Sequence, residues 1–274
     1  MQLSDFLFII TKGDNMKKVI VITGASSGIG KVCADYLYNK GYIVYGLNRS
    51  VVESDTIKYI KCDVTNEDDV KNALASIKED IYAVINNAGM GISGAIEHTS
   101  SDDVNRIIDV NIKGVINVCK HSIKYLRKTK GRIINIGSVA GELTIPFQTF
   151  YSMSKVAVST YTKGLGMELK PFGIKTTTVL PGDTKSEFSR NRKKTEVDDE
   201  LYKDRIKRSV ERMEKDEQNG KDPKSVAKVI YKVLKKKNPP VKVTVGFTYK
   251  LFVFLKRILP TKLVNYILYK MYGA

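Results

Sequence analysis

The chain has two histidines, three cysteines and no long apolar run, and each shortage removes a class of function. Its longest uninterrupted aliphatic or aromatic stretches, residues 6–10 and 251–255, fall far short of the roughly 20 residues that a membrane-spanning helix needs. Cys33, Cys62 and Cys119 are odd in number, far apart and without CxxC spacing, so neither a disulfide framework nor a zinc site is expected. A reducing, cytoplasmic compartment fits that usage. His98 and His121 read as surface or helix-face residues, and no metal site is expected. Seven Pro and twenty Gly are ordinary usage, which excludes collagen-like and low-complexity chains. Acid is missing from one end: from Pro223 onward there are 12 Lys or Arg and no Asp or Glu.

What is present suffices for a sizeable core: 274 residues, 42% hydrophobic and 27% charged. The net charge is +17, and its distribution matters more than its sum. Residues 1–182 hold 22 basic and 17 acidic side chains, whereas residues 183–274 hold 24 and 12. A one-sided basic end attracts anionic lipid, an anionic substrate or nucleic acid. With no recognisable nucleic-acid module, no nucleic-acid partner is expected.

Residues 1–16 are expected to form an extension outside the fold. The patch FLFII has Asp5 and no basic residue before it and no small-residue cleavage site after it, a poor signal peptide. Met16-Lys17-Lys18 leads straight into the first strong strand, so translation starting at Met16 is a reasonable expectation.

From Lys17 on, short β-branched runs alternate with longer helical stretches, the pattern of βαβ units around a parallel sheet. Strands are predicted at 19–22, 42–47, 57–61, 82–85, 132–136, 175–180 and 241–245, and helices at 29–39, 67–78, 102–127, 151–169 and 223–236. Near-continuous apolar strands imply a sheet covered on both faces, a doubly wound α/β fold of Rossmann type in one domain over residues 17–240. Residues 183–222 are highly charged, with Val197, Leu201, Ile206, Val210 and Met213 at roughly helical spacing; they read as a solvated amphipathic helix, a lid over a site, or both. Residues 241–274 carry the last strand and a basic amphipathic segment. Its face of Leu251, Phe254, Leu255 and Ile258, continued by Leu263 and Ile267, either docks on the protein itself or another subunit, or lies on a membrane surface as a peripheral contact through residues 247–274.

The segment VIVITGASSGIGK runs from a strand through a Gly-rich turn into a helix, with Gly24, Gly28 and Gly30 spaced GxxxGxG. Glycine allows the tight turn and close backbone approach, and the helix N-terminus offers free N–H groups to a pyrophosphate, as in dinucleotide binding. At the end of the second strand Asn48-Arg49 stands where an acidic residue would favour NAD(H). Arg49 can meet the extra phosphate of NADP(H), which makes NADP(H) the expected cofactor rather than NAD(H). Tyr151 and Lys155 form an i,i+4 pair on one helix face, with Ser138 at the preceding strand end. A free tyrosine titrates near ~10 and needs a neighbouring cation to act as acid–base catalyst at neutral pH, a role for Lys155. Ser138 can hold a substrate oxygen.

In order along the chain, TGASSGIG (23–30), CDV (62–64), NNAG (86–89), Asn111 in VNIKG, Ser138 in GSVAG, YSMSK (151–155) and PG (181–182) resemble the short-chain dehydrogenase/reductase family, over about residues 17–236. The overall look is similar to hydroxysteroid, retinol and acyl-lipid reductases of that family, and Arg49 to its NADP-preferring branch. The resemblance implies a carbonyl–alcohol oxidoreductase. Tyr151 would be the general acid, Lys155 would lower its pKa and bind the nicotinamide ribose, Ser138 would orient the substrate oxygen, and Asn111 would hold a water in the proton relay. It also implies cofactor contacts from the loop residues Ser26, Ser27 and Ile29, from Asp63 and Val64, from Asn87, Ala88 and Gly89, and from Pro181, Gly182 and Thr184. Helices 102–127 and 151–169 resemble the pair with which family members form homodimers and homotetramers. Met90, Ile92, Leu143, Ile145, Phe147 and Phe188 are expected near the substrate, and their apolar character points to a lipophilic carbonyl or alcohol. A small carbonyl, a sugar, a carrier-bound 3-ketoacyl group, or a dinucleotide-sensing protein without turnover are the alternatives.

Overall fold

The structure is a computed structural model that describes residues 17–188, 190–195 and 198–273; the expected extension at 1–16 lies outside them. Its frame is a seven-stranded sheet of β1 (Val19–Thr23), β2 (Ile43–Asn48), β3 (Lys58–Lys61), β4 (Ile81–Asn86), β6 (Arg132–Ile136), β7 (Lys175–Leu180) and β9 (Lys242–Thr244), in the order β3-β2-β1-β4-β6-β7-β9. Every neighbouring pair runs parallel. β1 is buried at every position: Val19 and Val21 enter the core on one face of the sheet, Ile20 and Ile22 the core on the other. That two-sided burial explains the unbroken apolar strands.

The helices between strands cover both faces: α1 (Gly28–Tyr38) and α7 (Lys224–Lys235) on one, α2 (Glu67–Ser76), α4 (Gly114–Thr129) and α5 (Thr149–Glu168) on the other. α2 begins where Asn66 accepts the Asp68 and Asp69 N–H groups, and Glu67, Asp68 and Asp69 set negative charge against the positive end of the helix dipole. The chain winds outward from β1 toward β3 and, after the crossover to β4, outward toward β9. The carboxyl ends of β1 and β4 therefore flank the point where the winding reverses, and a crevice opens there.

The helix expected over 102–127 is present and runs from Ser101 to Thr129 as α3 (Ser101–Ile108), a π-helical turn at Asp109–Lys113, and α4; the π-turn is a feature periodicity cannot reveal because the apolar spacing runs through it. Strand β3 starts at Lys58 and β9 spans only Lys242–Thr244. In the charged segment, β8 (Lys193–Lys194) pairs in parallel with β5 (Ile92–Ser93), and α6 (Lys203–Gln218) buries Ile206, Val210 and Met213. Leu201 precedes that helix and is 79% exposed, so it does not extend the buried face; Val197 lies outside the described residues. The basic end forms two helices, α8 (Phe247–Ile258) and α9 (Thr261–Tyr272). Tyr272 donates to Asp216 of α6 at 2.9 Å, and Arg205 of α6 donates to the Gly273 carbonyl at 3.1 Å. Among the described residues no helix is long and apolar enough to cross a membrane.

Candidate active site

The turn after β1 is built for close approach. Gly24 and Gly28 have positive φ, +64° and +52°. A Cβ on Gly30 would stand 2.5 Å from Asn87 Nδ2 and 2.9 Å from the Gly24 carbonyl carbon, so only glycine lets α1 start this close to the turn. Thr23 Oγ1 accepts the Asn87 and Ala88 N–H groups, both at 3.0 Å, and Asn87 Nδ2 donates to the Thr23 and Gly24 carbonyls, both at 3.1 Å. The end of β4 and the turn thus hold each other. Ser27 caps α1 without a side-chain hydrogen bond, which leaves the first N–H groups of the helix for an anionic group.

The neighbouring strand supplies Asn48 and Arg49. Asn48 Oδ1 accepts the Ala25 N–H at 2.7 Å, while its buried Nδ2 has no partner among the described residues. Arg49 is exposed on the cleft wall and makes no ion pair among the described residues. Asp63 turns its carboxylate to the Thr65 N–H and hydroxyl at 2.9 and 2.8 Å.

Ser138 follows β6, and Tyr151 and Lys155 lie one turn apart at the start of α5, all on the wall of one cleft. The Lys155 Nζ donates to the Ile136 carbonyl at 3.1 Å and sits 5.5 Å from the centre of the Tyr151 ring. Burial draws the Lys155 ammonium down to about 8, and burial lifts the Tyr151 phenol to about 12 against a hydrogen bond from Ser138 that lowers it. Desolvation of the phenolate is the largest influence on Tyr151, and Lys155 is not among the groups that shift it here. Asn111 stands in the π-turn, 1% exposed, and does not reach the cleft wall. It accepts the Met90 N–H at 2.8 Å and donates to the Met90 carbonyl and to Ser154 Oγ, both at 2.9 Å, fixing the loop after NNAG against α5. Asn86 is purely a sheet residue: its Nδ2 bridges to Asn135 Oδ1 at 2.8 Å.

The cleft is continuous and has a volume of 1390 Å³. Apart from Gly30 and Asn111, every residue expected to touch cofactor or substrate through the resemblance or the Gly-rich turn lines it, Thr184 included, whose hydroxyl donates back to the Gly182 carbonyl at 2.8 Å. Met90, Leu143, Ile145 and Phe188 lie beyond Tyr151, with the Phe188 and Tyr151 rings 5.4 Å apart. Ile92 and Phe147 are corrections: Ile92 is 2% exposed within a local core, and Phe147 packs on Tyr202, so neither lines the cleft.

Two features escaped the sequence reading. Arg192, with no exposed side-chain surface, forms an ion pair with Glu217 close enough to Tyr151 to act on its phenol. The far wall of the cleft is the inner face of α8 and α9, with Phe252, Leu255, Leu259, Val264 and Leu268 facing inward, fastened where Tyr249 Oη donates to the Asp183 carboxylate. The apolar spacing in 247–272 was visible, but both faces of these helices are apolar, so spacing could not say which one turns inward.

The model of the short chain dehydrogenase family matches residues 18–197. The chain belongs to that family. It is 40% identical over 259 residues to the 3-ketodihydrosphingosine reductase of Bacteroides thetaiotaomicron, covering 92% of this chain and 96% of that protein. In fold it is similar to a short-chain dehydrogenase of Burkholderia cenocepacia solved with NADP (22% identity, TM-score 0.75, 92% of this chain and 97% of the other). A Burkholderia phymatum short-chain dehydrogenase/reductase solved with NAD is equally similar (21% identity, TM-score 0.75, 88% and 93%). Fold likeness therefore does not choose between the two dinucleotides. This dehydrogenase is an oxidoreductase on a fold that binds NAD(P)(H), and its residues fit such a cofactor. The glycine-shaped cradle and the uncapped start of α1 suit a pyrophosphate, and the unpartnered Asn48 Nδ2 is a donor beside them. The cofactor supplies hydride when bound. Pushed up to about 12 by burial, the Tyr151 phenol is protonated at neutral pH. Among the described residues no cluster of three or more His, Cys, Asp or Glu is placed to hold a metal; His98 and His121 each meet a single carboxylate, Asp199 and Glu67.

Proposed function

We propose that this dehydrogenase is a cytoplasmic, NADPH-dependent reductase of long-chain lipid ketones of the 3-ketosphingoid class. The observation that carries the reading is the continuity of the cleft from Tyr151 to the apolar wall of α8 and α9. Its 1390 Å³ exceeds the about 300–1,000 Å³ of an ordinary small-molecule site and accommodates a dinucleotide together with an acyl chain. The name of the Bacteroides relative, matched almost end to end, supports the same class. Tyr151 donates the proton, Ser138 positions the carbonyl oxygen and Lys155 holds the nicotinamide ribose, while Asn111 braces the loop after NNAG against α5. Arg49, exposed on the cleft wall and without an ion pair among the described residues, takes the phosphate that distinguishes NADPH. The enzyme assembles as a homodimer or homotetramer through α4 and α5, and on α5 Met153, Val156 and Met167 are 42, 44 and 65% exposed.

The test is NADPH oxidation against 3-keto compounds of increasing chain length. At about 0.8 kcal/mol per buried methylene, kcat/KM rises about fourfold per added methylene until the apolar end is filled. Equal turnover of small and long ketones would overturn the lipid reading while leaving the reductase intact.

A further inference from the structure

The outward face of α8 and α9 is as apolar as the inward one, and nothing among the described residues covers it. Phe247, Leu251, Phe254 and Ile258 recur at i, i+4, i+7 and i+11 along α8 and are 78, 43, 56 and 62% exposed; Leu263 and Tyr266 extend the stripe on α9 at 44 and 59%. Only Val253 of the two helices is buried. Residues 247–274 hold five Lys or Arg and no acid. Of these, Lys250, Arg257, Lys262 and Lys270 are exposed and form no ion pair among the described residues, while Lys256 turns toward Glu142. Bare aromatic and aliphatic side chains beside unneutralised cations match the two layers of an anionic bilayer, acyl boundary and headgroup.

We propose that α8 and α9 seat the protein on the surface of a membrane that contains anionic lipid, and that lipids reach the cleft directly from that surface. The passage is visible in residues that belong to both sides. Phe252, Ile267 and Met271 line the cleft and are nevertheless 43, 44 and 45% exposed, so the apolar end of the cleft opens through the face that meets the bilayer. A chain that is insoluble in water then needs no aqueous transit between bilayer and Tyr151.

The experiment is flotation of the full-length protein with vesicles of phosphatidylcholine, with and without phosphatidylglycerol, neither containing substrate. The protein floats with anionic vesicles, is released by high salt, and remains behind with phosphatidylcholine alone. The outer-face substitutions Phe254→Glu and Ile258→Glu together lower the bound fraction at least about tenfold. Turnover of a water-soluble ketone, which never uses the bilayer, stays unchanged and also reports that the variant is folded. No flotation, or equal flotation of wild type and variant, overturns the proposal. So does a wild type that self-associates in light scattering through this stripe without binding vesicles. Because the vesicles hold no ketone, the outcome is separate from the substrate class proposed above.

Discussion

The Tyr249 hydroxyl of α8 donates to the Asp183 carboxylate in the turn after β7, and the Tyr249 ring lies flush on Gly182, where a Cβ would come within 2.5 Å of the ring's Cζ. One side chain thus fastens the apolar wall of the cleft to the turn beside the catalytic residues. Burial already holds the Asp183 carboxyl above the usual carboxylate range, and the Tyr249 hydrogen bond opposes that rise. Tyr249→Phe removes the donor and lets the carboxyl rise further. The variant should lose about 1.5–3 kcal/mol in urea unfolding, the worth of a hydrogen bond to a charged acceptor. KM for a long-chain ketone should rise while kcat for a short one holds.

Arg49→Ala separates the dinucleotides. If Arg49 meets the phosphate peculiar to NADPH, losing a charge-assisted contact of about 1.5–3 kcal/mol weakens NADPH binding about 10- to 100-fold. NADH binding should be unchanged. Titrations of both cofactors followed by fluorescence check this, and a parallel loss for both contradicts the assignment.

Lys155 stores a folding cost that can be measured. Unfolded, its ammonium titrates at the ordinary 10.5; in the fold burial brings it to about 8. Between those values the unfolded chain binds more protons, so stability rises with pH across that window, and at neutral pH the full cost of about 3 kcal/mol is present. Lys155→Met should therefore unfold at higher urea at pH 7, by about 1–3 kcal/mol, with a flatter response between pH 8 and 10 than wild type. Its turnover should be lost. A less stable variant would contradict the burial account.

Gly30→Ala should be costly where most helix glycines are not. The added methyl meets Asn87 Nδ2 at 2.5 Å in a turn held by four hydrogen bonds, so the turn must shift. Overpacking of this kind costs about 1–3 kcal/mol and displaces the N–H groups at the start of α1. Thermal unfolding and dinucleotide affinity should fall together.

Much of this was legible in the chain, for identifiable reasons. β1, β6 and β7 are buried at nearly every position and rich in β-branched residues, and those runs end where the strands end. Ser138, Tyr151 and Lys155 were legible because strand-end and helix-start positions are fixed by local sequence. The π-turn at Asp109–Lys113 was not, since the helix continues through it with one wider turn of backbone. Arg192 and Glu217 sit in a stretch so charged that it reads as solvated, yet tertiary placement of α6 removes the arginine from water altogether. The inward turn of Phe252, Leu255 and Leu268 likewise depends on where α8 and α9 attach, through Tyr249 and Tyr272, and not on their own period.

Proton donation by Tyr151 to a long-chain ketone underlies the proposed reduction, and Tyr151→Phe removes the donor. The phenylalanine keeps the ring against Phe188 and removes only the hydroxyl. NADPH binding by fluorescence should match wild type, while kcat for reduction of a long-chain 3-ketosphingoid falls about 10²- to 10⁴-fold. Retained turnover in a variant that binds NADPH normally would contradict the account.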